Sequence, residues 1–177
     1  MQAQVENCKW TPDDWETPDK VAYQMAAMIA ADERVILEPS AGSGQIAQYL
    51  PPGAICVEKS VGRFRAGRHR CPDCEWHRAD FLGWCEVEPV DVVIGNPPFS
   101  LWAEFLSQSL DLLAPAGRVL FLGPCDQFHK PTFLAKLSHP VEVTAHPVVG
   151  RVAYLKEGVP HRGRQIYDSI FEIRRAA

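Results

Sequence analysis

The junction between Gly95 and Asn96 constrains this chain more than any other feature. Val90-Asp91-Val92-Val93-Ile94-Gly95 is a short β-branched run of the kind that fills a buried parallel strand. Asn96-Pro97-Pro98-Phe99 follows at once. Two consecutive prolines lack the N–H groups that a ladder needs and hold φ at about −65°, so the strand cannot continue. The chain must leave the sheet here, carrying an amide side chain, rigid carbonyls and an aromatic ring at a strand's carboxyl end. In open α/β sheets that rim is where ligands bind.

These residue types suit amino-group chemistry. An exocyclic amine on a base is a poor nucleophile because its lone pair is delocalised into the ring. Asn96 Oδ1 and the Pro97 carbonyl are both acceptors and can take its two N–H groups, favouring a geometry in which the lone pair is free. Such contacts tighten as positive charge develops on nitrogen, so they stabilise the transition state more than the ground state. Phe99 offers a flat face for a base taken out of its stack. A plain strand-ending turn would carry the same letters, so the tetrapeptide alone leaves both readings open.

A chain of 177 residues fits one domain with a full core, here 1–177 with a polar N-terminal segment over 1–16. The formal charge of −4 argues against indiscriminate electrostatic binding of nucleic acid, but not against a local basic rim. No basic-then-apolar leader opens the chain and no long apolar run interrupts it, so we expect a cytoplasmic protein without a membrane span. On the same ground its six cysteines read as reduced thiols rather than a disulfide framework.

Strands and helices alternate along the chain, the signature of an α/β fold. Thr17-Pro18-Asp19 predicts a helix start, with Thr17 as N-cap and Val21, Met25, Met28 and Ile29 on one face. Val35-Ile36-Leu37 is the first strand; it runs into Glu38-Pro39-Ser40-Ala41-Gly42-Ser43-Gly44 and a helix expected from Gln45 to Leu50. Gly42 and Gly44 allow positive φ and close approach of a ligand, although the full dinucleotide fingerprint is missing because Ala47 takes its third glycine position. A second strand, 54–57, ends in Glu58, where an acid can hold ribose hydroxyls or simply face solvent. Arg63, Arg65, Arg68 and Arg70 then share a helix, a pattern that more often marks a solvated face than a nucleic-acid patch. Cys71-Pro72-Asp73-Cys74 lies between His69 and His77, but four ligands in so short a span make an awkward tetrahedron and no second CxxC exists, so no metal is expected.

A third strand over 75–79 closes in Asp80-Phe81, which puts Glu58, Asp80 and Asn96 at the ends of successive strands. Ser100 is placed to cap the next helix, with Leu101, Phe105, Leu106, Leu110 and Leu113 along one face. Strands over 118–122, 141–145 and 167–173 complete a set of seven. The polar, basic, glycine-rich loop 156–165 joins the last two, and Lys156, His161, Arg162 and Arg164 are its candidate contacts to a nucleic acid.

Taken together, these pieces resemble the class I S-adenosylmethionine-dependent methyltransferases, specifically the amino-methylating type that acts on N6 of adenine in DNA. The resemblance rests on Asn96-Pro97-Pro98-Phe99, the Glu38–Gly44 loop, their spacing, and Trp15-Glu16-Thr17-Pro18 ahead of a helix. It implies a Rossmann-like doubly wound sheet of seven strands with the last antiparallel and helices on both faces. It implies S-adenosylmethionine as cofactor. Trp15, Thr17, Pro18, Glu38, Pro39, Ser40, Ala41, Gly42 and Gly44 would meet its methionine end, Glu58 the ribose, and Asp80 and Phe81 the adenine, with Lys59 and Asn96 also counted among the cofactor-binding residues. Asn96, Pro97, Pro98 and Phe99 would act on the target amine.

Many members of that family that act on DNA carry a separate target-recognition segment; we expect none within these 177 residues, and their acidity is also unlike a self-sufficient DNA binder. Specificity would then come from loops or from a partner protein. A similar motif serves methylation of adenine or guanine in RNA, of cytosine N4 in DNA and of glutamine in proteins. A catalytically silent subunit that keeps the fold is the alternative from another class.

Overall fold

Every run read as a strand pairs into one sheet in the computed structural model, which describes residue 13 and residues 15–85, 87–148, 152–156, 158–160 and 168–176. In chain order the elements are α1 (Asp19–Ala26), β1 (Ile36–Glu38), β2 (Ile55–Val57), α2 (Val61–Arg70), β3 (Glu75–His77), β4 (Val90–Gly95) and α3 (Trp102–Leu112). Then come β5 (Leu113–Pro124), α4 (Pro131–Leu134), β6 (Val141–Pro147), a small hairpin of β7 (Leu155–Lys156) and β8 (Val159–Pro160), and β9 (Asp168–Arg175). The sheet order is β3-β2-β1-β4-β5-β9-β6. Its strands from β3 to β5 are mutually parallel, whereas β9 runs antiparallel to both β5 and β6. This is the doubly wound seven-stranded sheet with an antiparallel last strand that the family resemblance implied.

Alternation along the central strands sorts the core into two layers. Val93, Val119 and Phe121 face the α3 side with Trp102, Leu106 and Leu110. Val92, Ile94, Leu120 and Leu122 face the α1 side with Val21, Met25 and Tyr154. Burial on both faces is why these strands read as continuous apolar runs. Trp102, close to the double proline in sequence, is a packing residue. It is fully buried, donates its indole N–H to the Leu122 carbonyl at 3.1 Å and meets Phe121 and Phe133.

Local expectations fail in five places, and at Thr17 and Ser100 the reason is that a tertiary contact outbids a local cap. Pro18, not Thr17, is the N-cap of α1, and the Thr17 hydroxyl is taken by Asn96. The helix expected over 45–50 is a single 3-10 turn, Ala47–Tyr49, stopped by Pro51 and Pro52. Ser100 caps nothing; its hydroxyl and N–H both turn to Asp13, and α3 begins at Trp102. Residues 114–117, left outside the strand predicted over 118–122, lie inside β5 as an irregularity, since Val90 pairs with Leu113 and Val92 with Arg118. The loop predicted over 156–165 begins instead as the β7–β8 hairpin, and its residues 161–165 lie outside the described residues. No described helix is long and apolar enough to cross a membrane.

Helix α2 docks on β3 through a glycine. Phe64 meets Trp76 edge-to-face at 6.2 Å, and a Cβ on Gly67 would overlap the same indole. Helix propensity alone makes Gly67→Ala stabilising. The overlap reverses the sign: we expect urea unfolding to show a loss of about 1–3 kcal/mol, the usual range for overpacking. Gly62→Ala on the same helix meets nothing within 4 Å and should gain about 0.5–1 kcal/mol.

Candidate active site

The sheet order reverses between β1 and β4, and the crevice at their carboxyl ends opens into a cavity of about 450 Å³. Its floor is the loop after β1, with Glu38, Pro39, Ser40, Ala41 and Gly42 all on the lining. Glu58, Lys59 and Asp80 line it from the ends of β2 and β3, and Asn96 and Pro98 from the end of β4. Phe81 joins Ala79, Leu101 and Phe105 to make an apolar corner beside Asp80. Trp15 and Thr17 close the cavity from the N-terminal segment.

Other sequence candidates fall elsewhere. Gly44 keeps its positive φ of 84° but faces α2: a Cβ there would meet Cys71 Sγ at 3.0 Å and Gly67 Cα at 3.4 Å. Its role is to let the helix approach. Pro18, Pro97 and Phe99 are not on the cavity lining, and Lys156 sits on the β7–β8 hairpin. His161, Arg162 and Arg164 lie outside the described residues.

Three buried polar atoms in the cavity have no hydrogen-bond partner: Glu38 Oε2, Ser40 Oγ and Asn96 Oδ1. Unsatisfied polar atoms of this kind are rare in a folded protein and each costs about 1–3 kcal/mol, so their convergence on one cavity marks a ligand site. The Asn96 amide is oriented, because its Nδ2 donates to Thr17 Oγ1 at 3.1 Å and leaves Oδ1 as the free acceptor. Thr17 is itself buried, and this contact is what its failure as a helix cap made available.

The carboxylates differ in role. Glu58 Oε2 accepts from the Gly42 N–H at 2.9 Å and Oε1 from the Ser60 N–H at 2.7 Å, so it braces the glycine loop against the end of β2. Glu38 is fully buried, and that burial holds its carboxyl well above the ordinary carboxylate range, with Cys74 and Glu58 adding to the effect and an Ala47 N–H opposing it. Beneath the loop, Cys71 Sγ lies 3.7 Å from the Gly44 carbonyl and Cys74 Sγ 3.7 Å from that of Ala47. Both thiols are free, and burial pushes Cys71 up to about 11. No group of three or more metal-ligating side chains is assembled among the described residues.

Sequence reasoning missed several contributors, among them Arg63, which joins Lys59 and Ser60 on the cavity lining. Asp13 lines the cavity and holds Ser100 just beyond the double proline. Glu16 ties the N-terminal segment to the hairpin through paired backbone bonds with Leu155 at 3.0 and 3.1 Å, and its carboxylate accepts from the Gly158 N–H. Tyr154 stands between Phe99 and Trp15 at 6.0 and 6.2 Å and donates its hydroxyl to Asp168 at 2.7 Å. A lone Tyr in an irregular stretch gives no sequence signal for such a place.

This architecture is the class I methyltransferase fold. A protein assigned to the class I S-adenosylmethionine-dependent methyltransferases from Listeria monocytogenes superposes with a TM-score of 0.72 at 19% identity, covering 95% of this chain and 63% of that one. The 23S rRNA methyltransferase ErmE gives a TM-score of 0.65 at 18% identity, covering 89% of this chain and 68% of that one. In sequence, the chain is 25% identical over 126 residues to the tRNA1(Val) (adenine(37)-N6)-methyltransferase of Glaesserella parasuis serovar 5 (strain SH0165). That match covers 54% of each protein, so it spans about half the length of that curated relative. No family model matches the chain. These comparisons indicate S-adenosylmethionine as the cofactor, and the cavity fits it: the unpartnered Glu38 Oε2 suits an ammonium group, and the apolar corner beside Asp80 suits an adenine.

A raised carboxyl has consequences for stability. Glu38 titrates higher in the folded than in the unfolded chain, so the stability that its neutral form preserves at acid pH is lost as pH rises through its folded value. Glu38→Gln should therefore melt higher than the parent at mildly alkaline pH and show a flatter pH profile, measured by thermal unfolding without ligand. The same variant should lose about 1.5–3 kcal/mol of S-adenosylmethionine binding by calorimetry, the range for a charge-assisted hydrogen bond.

Proposed function

We propose that the protein transfers a methyl group from S-adenosylmethionine to N6 of adenine in structured RNA. The observation that carries the amino-methylation reading is Asn96 Oδ1, buried and unpartnered in the cavity with its amide oriented by Thr17. RNA is placed ahead of the DNA that the sequence resemblance implied, because the sequence relative above acts on adenine in a tRNA.

Glu38, Ser40 and the backbone of 39–42 would hold the methionine end of the cofactor, Glu58 the ribose, and Asp80 with Phe81, Leu101 and Phe105 the adenine. When bound, S-adenosylmethionine supplies a methyl group activated by its attachment to a sulfonium. The chain's part is to prepare the nucleophile. Asn96 Oδ1 and the Pro97 carbonyl accept the two N–H groups of the target amine, which draws its lone pair out of conjugation. As nitrogen becomes positive the same two acceptors bind it more strongly, and one proton then leaves to solvent. Thr17 keeps the Asn96 amide from turning its N–H2 face to the amine, where two donors would repel each other. Tyr154, packed against Phe99, sets the ring that the extruded base would meet.

The direct test is transfer of labelled methyl to an unmodified tRNA transcript, ribosomal RNA, duplex DNA and protein, followed by nucleoside mass spectrometry. N6-methyladenosine is the expected product. Label found solely as N6-methyldeoxyadenosine would move the substrate to DNA, and label in glutamine would overturn the base chemistry. Asn96→Ala should lower kcat by about a hundred- to a thousandfold while cofactor affinity stays within a few-fold. Thr17→Val keeps the volume but loses the acceptor, and should cost about 1 kcal/mol, or roughly fivefold in kcat.

A further inference from the structure

We infer that the exposed face of α2 is where the phosphate backbone of the RNA substrate crosses the protein. The inference rests on the RNA reading above and adds to it a surface. Helix α2 carries Arg63, Arg65, Arg68, His69 and Arg70 and not one acid, in a chain whose formal charge is −4. A helix this polar on all sides ordinarily draws support from i,i+4 ion pairs. This one has none to draw on, and Arg65 and Arg68, one turn apart and both exposed, repel each other.

The helix dipole does not account for the pattern. Arg68, His69 and Arg70 sit in the last turn, where cations are favoured. Arg63 lies within the first turn, where the dipole disfavours it, and Arg65 lies mid-helix, where the dipole gives it nothing. Among the described residues, Arg65, Arg68 and Arg70 enter none of the salt bridges, which engage Glu33, Glu75, Glu104, Asp111, Asp126 and Glu172 with other cations. The acids nearest in sequence are Glu58, whose oxygens accept from the Gly42 and Ser60 N–H groups, and Asp73; Glu75 beyond them is occupied by His77 at 2.7 Å. A helix that keeps its cations against its own stability has a use for them, and a polyanion is the partner with matching charge.

Position supports the same reading. Lys59, Ser60 and Arg63 line the cavity that Asn96 lines from the other side of β1, so the basic helix starts at the mouth of the active site. It leads away over the β3 edge of the sheet, where Arg78 is also exposed. A folded RNA that delivers one adenine to Asn96 would lay neighbouring phosphates along α2. Such contacts hold register without reading sequence.

The test uses Arg65→Ala with Arg68→Ala, two residues away from the cavity lining, and titrates an unmodified tRNA transcript and a DNA duplex of matched length across a potassium chloride series. For the tRNA transcript, each lost phosphate contact should lower the log–log salt slope by about 0.7–0.9, so the double variant should lose up to roughly two units of slope and bind more weakly at low salt. Arg65→Lys with Arg68→Lys should keep both slope and affinity, and cofactor affinity by calorimetry should not change in either variant. An unchanged slope for tRNA overturns the proposal, and so does a loss confined to DNA. Failure to form N6-methyladenosine with the slope still falling would overturn the reaction proposed above and leave this surface standing.

Discussion

The structure depends on one adjacency: β1 and β4 lie side by side and parallel, while the chain leaves them in opposite directions across the sheet. From β1 the order runs outward to β2 and β3, and from β4 to β5 and β9. No crossover can then cover the gap between the two carboxyl ends, and a crevice follows from topology alone. Glu38 ends one of these strands and Asn96 follows the other, so the residue suited to a cationic ligand and the residue suited to an amine become neighbours although 58 positions separate them. Every other cavity residue is placed relative to that pair.

Keeping this crevice polar has a cost that the rest of the fold offsets. A buried carboxyl pushed up by burial, an unpartnered serine hydroxyl and an unpartnered amide oxygen would each destabilise an ordinary core. Here they sit above two apolar layers in which the central strands are almost wholly excluded from solvent. The supports are specific as well. Glu58 braces the glycine loop through Gly42, Asp13 holds Ser100 beyond the prolines, and Glu16 pins the N-terminal segment to the hairpin. A site whose polar atoms wait for a ligand needs such bracing, because without it the atoms would turn to satisfy one another.

The glycine loop shows how one motif answers two demands. Gly42 lines the cavity, while Gly44, two residues on, faces the opposite way and lets α2 come within van der Waals distance. Cys71, Gly67 and the Trp76 indole fill the space that a side chain at Gly44 or Gly67 would need. The basic helix is therefore held directly against the loop that shapes the cofactor cavity, and Arg63 in its first turn stands on the cavity lining.

Much of this was legible in the sequence, because strand composition and proline placement act through the backbone alone. The seven strands, the exit at Asn96-Pro97 and the acids closing β2 and β3 follow from β-branched runs, missing N–H groups and positions in the chain. Residues whose partners are distant were not legible. Thr17 reads as a cap by every local rule, yet the hydroxyl of Thr17 bonds an amide 79 positions away. Ser100 reads as a cap and meets Asp13 instead, and Tyr154 carries no pattern at all until Phe99, Trp15 and Asp168 surround it. Arg63 looks like one member of a solvated run, and tertiary structure alone puts it on the cavity wall. Local sequence determined which runs become strands and where the chain must leave the sheet at Asn96-Pro97, because those choices are steric, whereas the pairing of Val90 with Leu113 carried β5 beyond the run read from the sequence. Which polar group meets which was decided by packing, since a hydrogen bond across the fold forms only after the apolar layers have brought its two ends together.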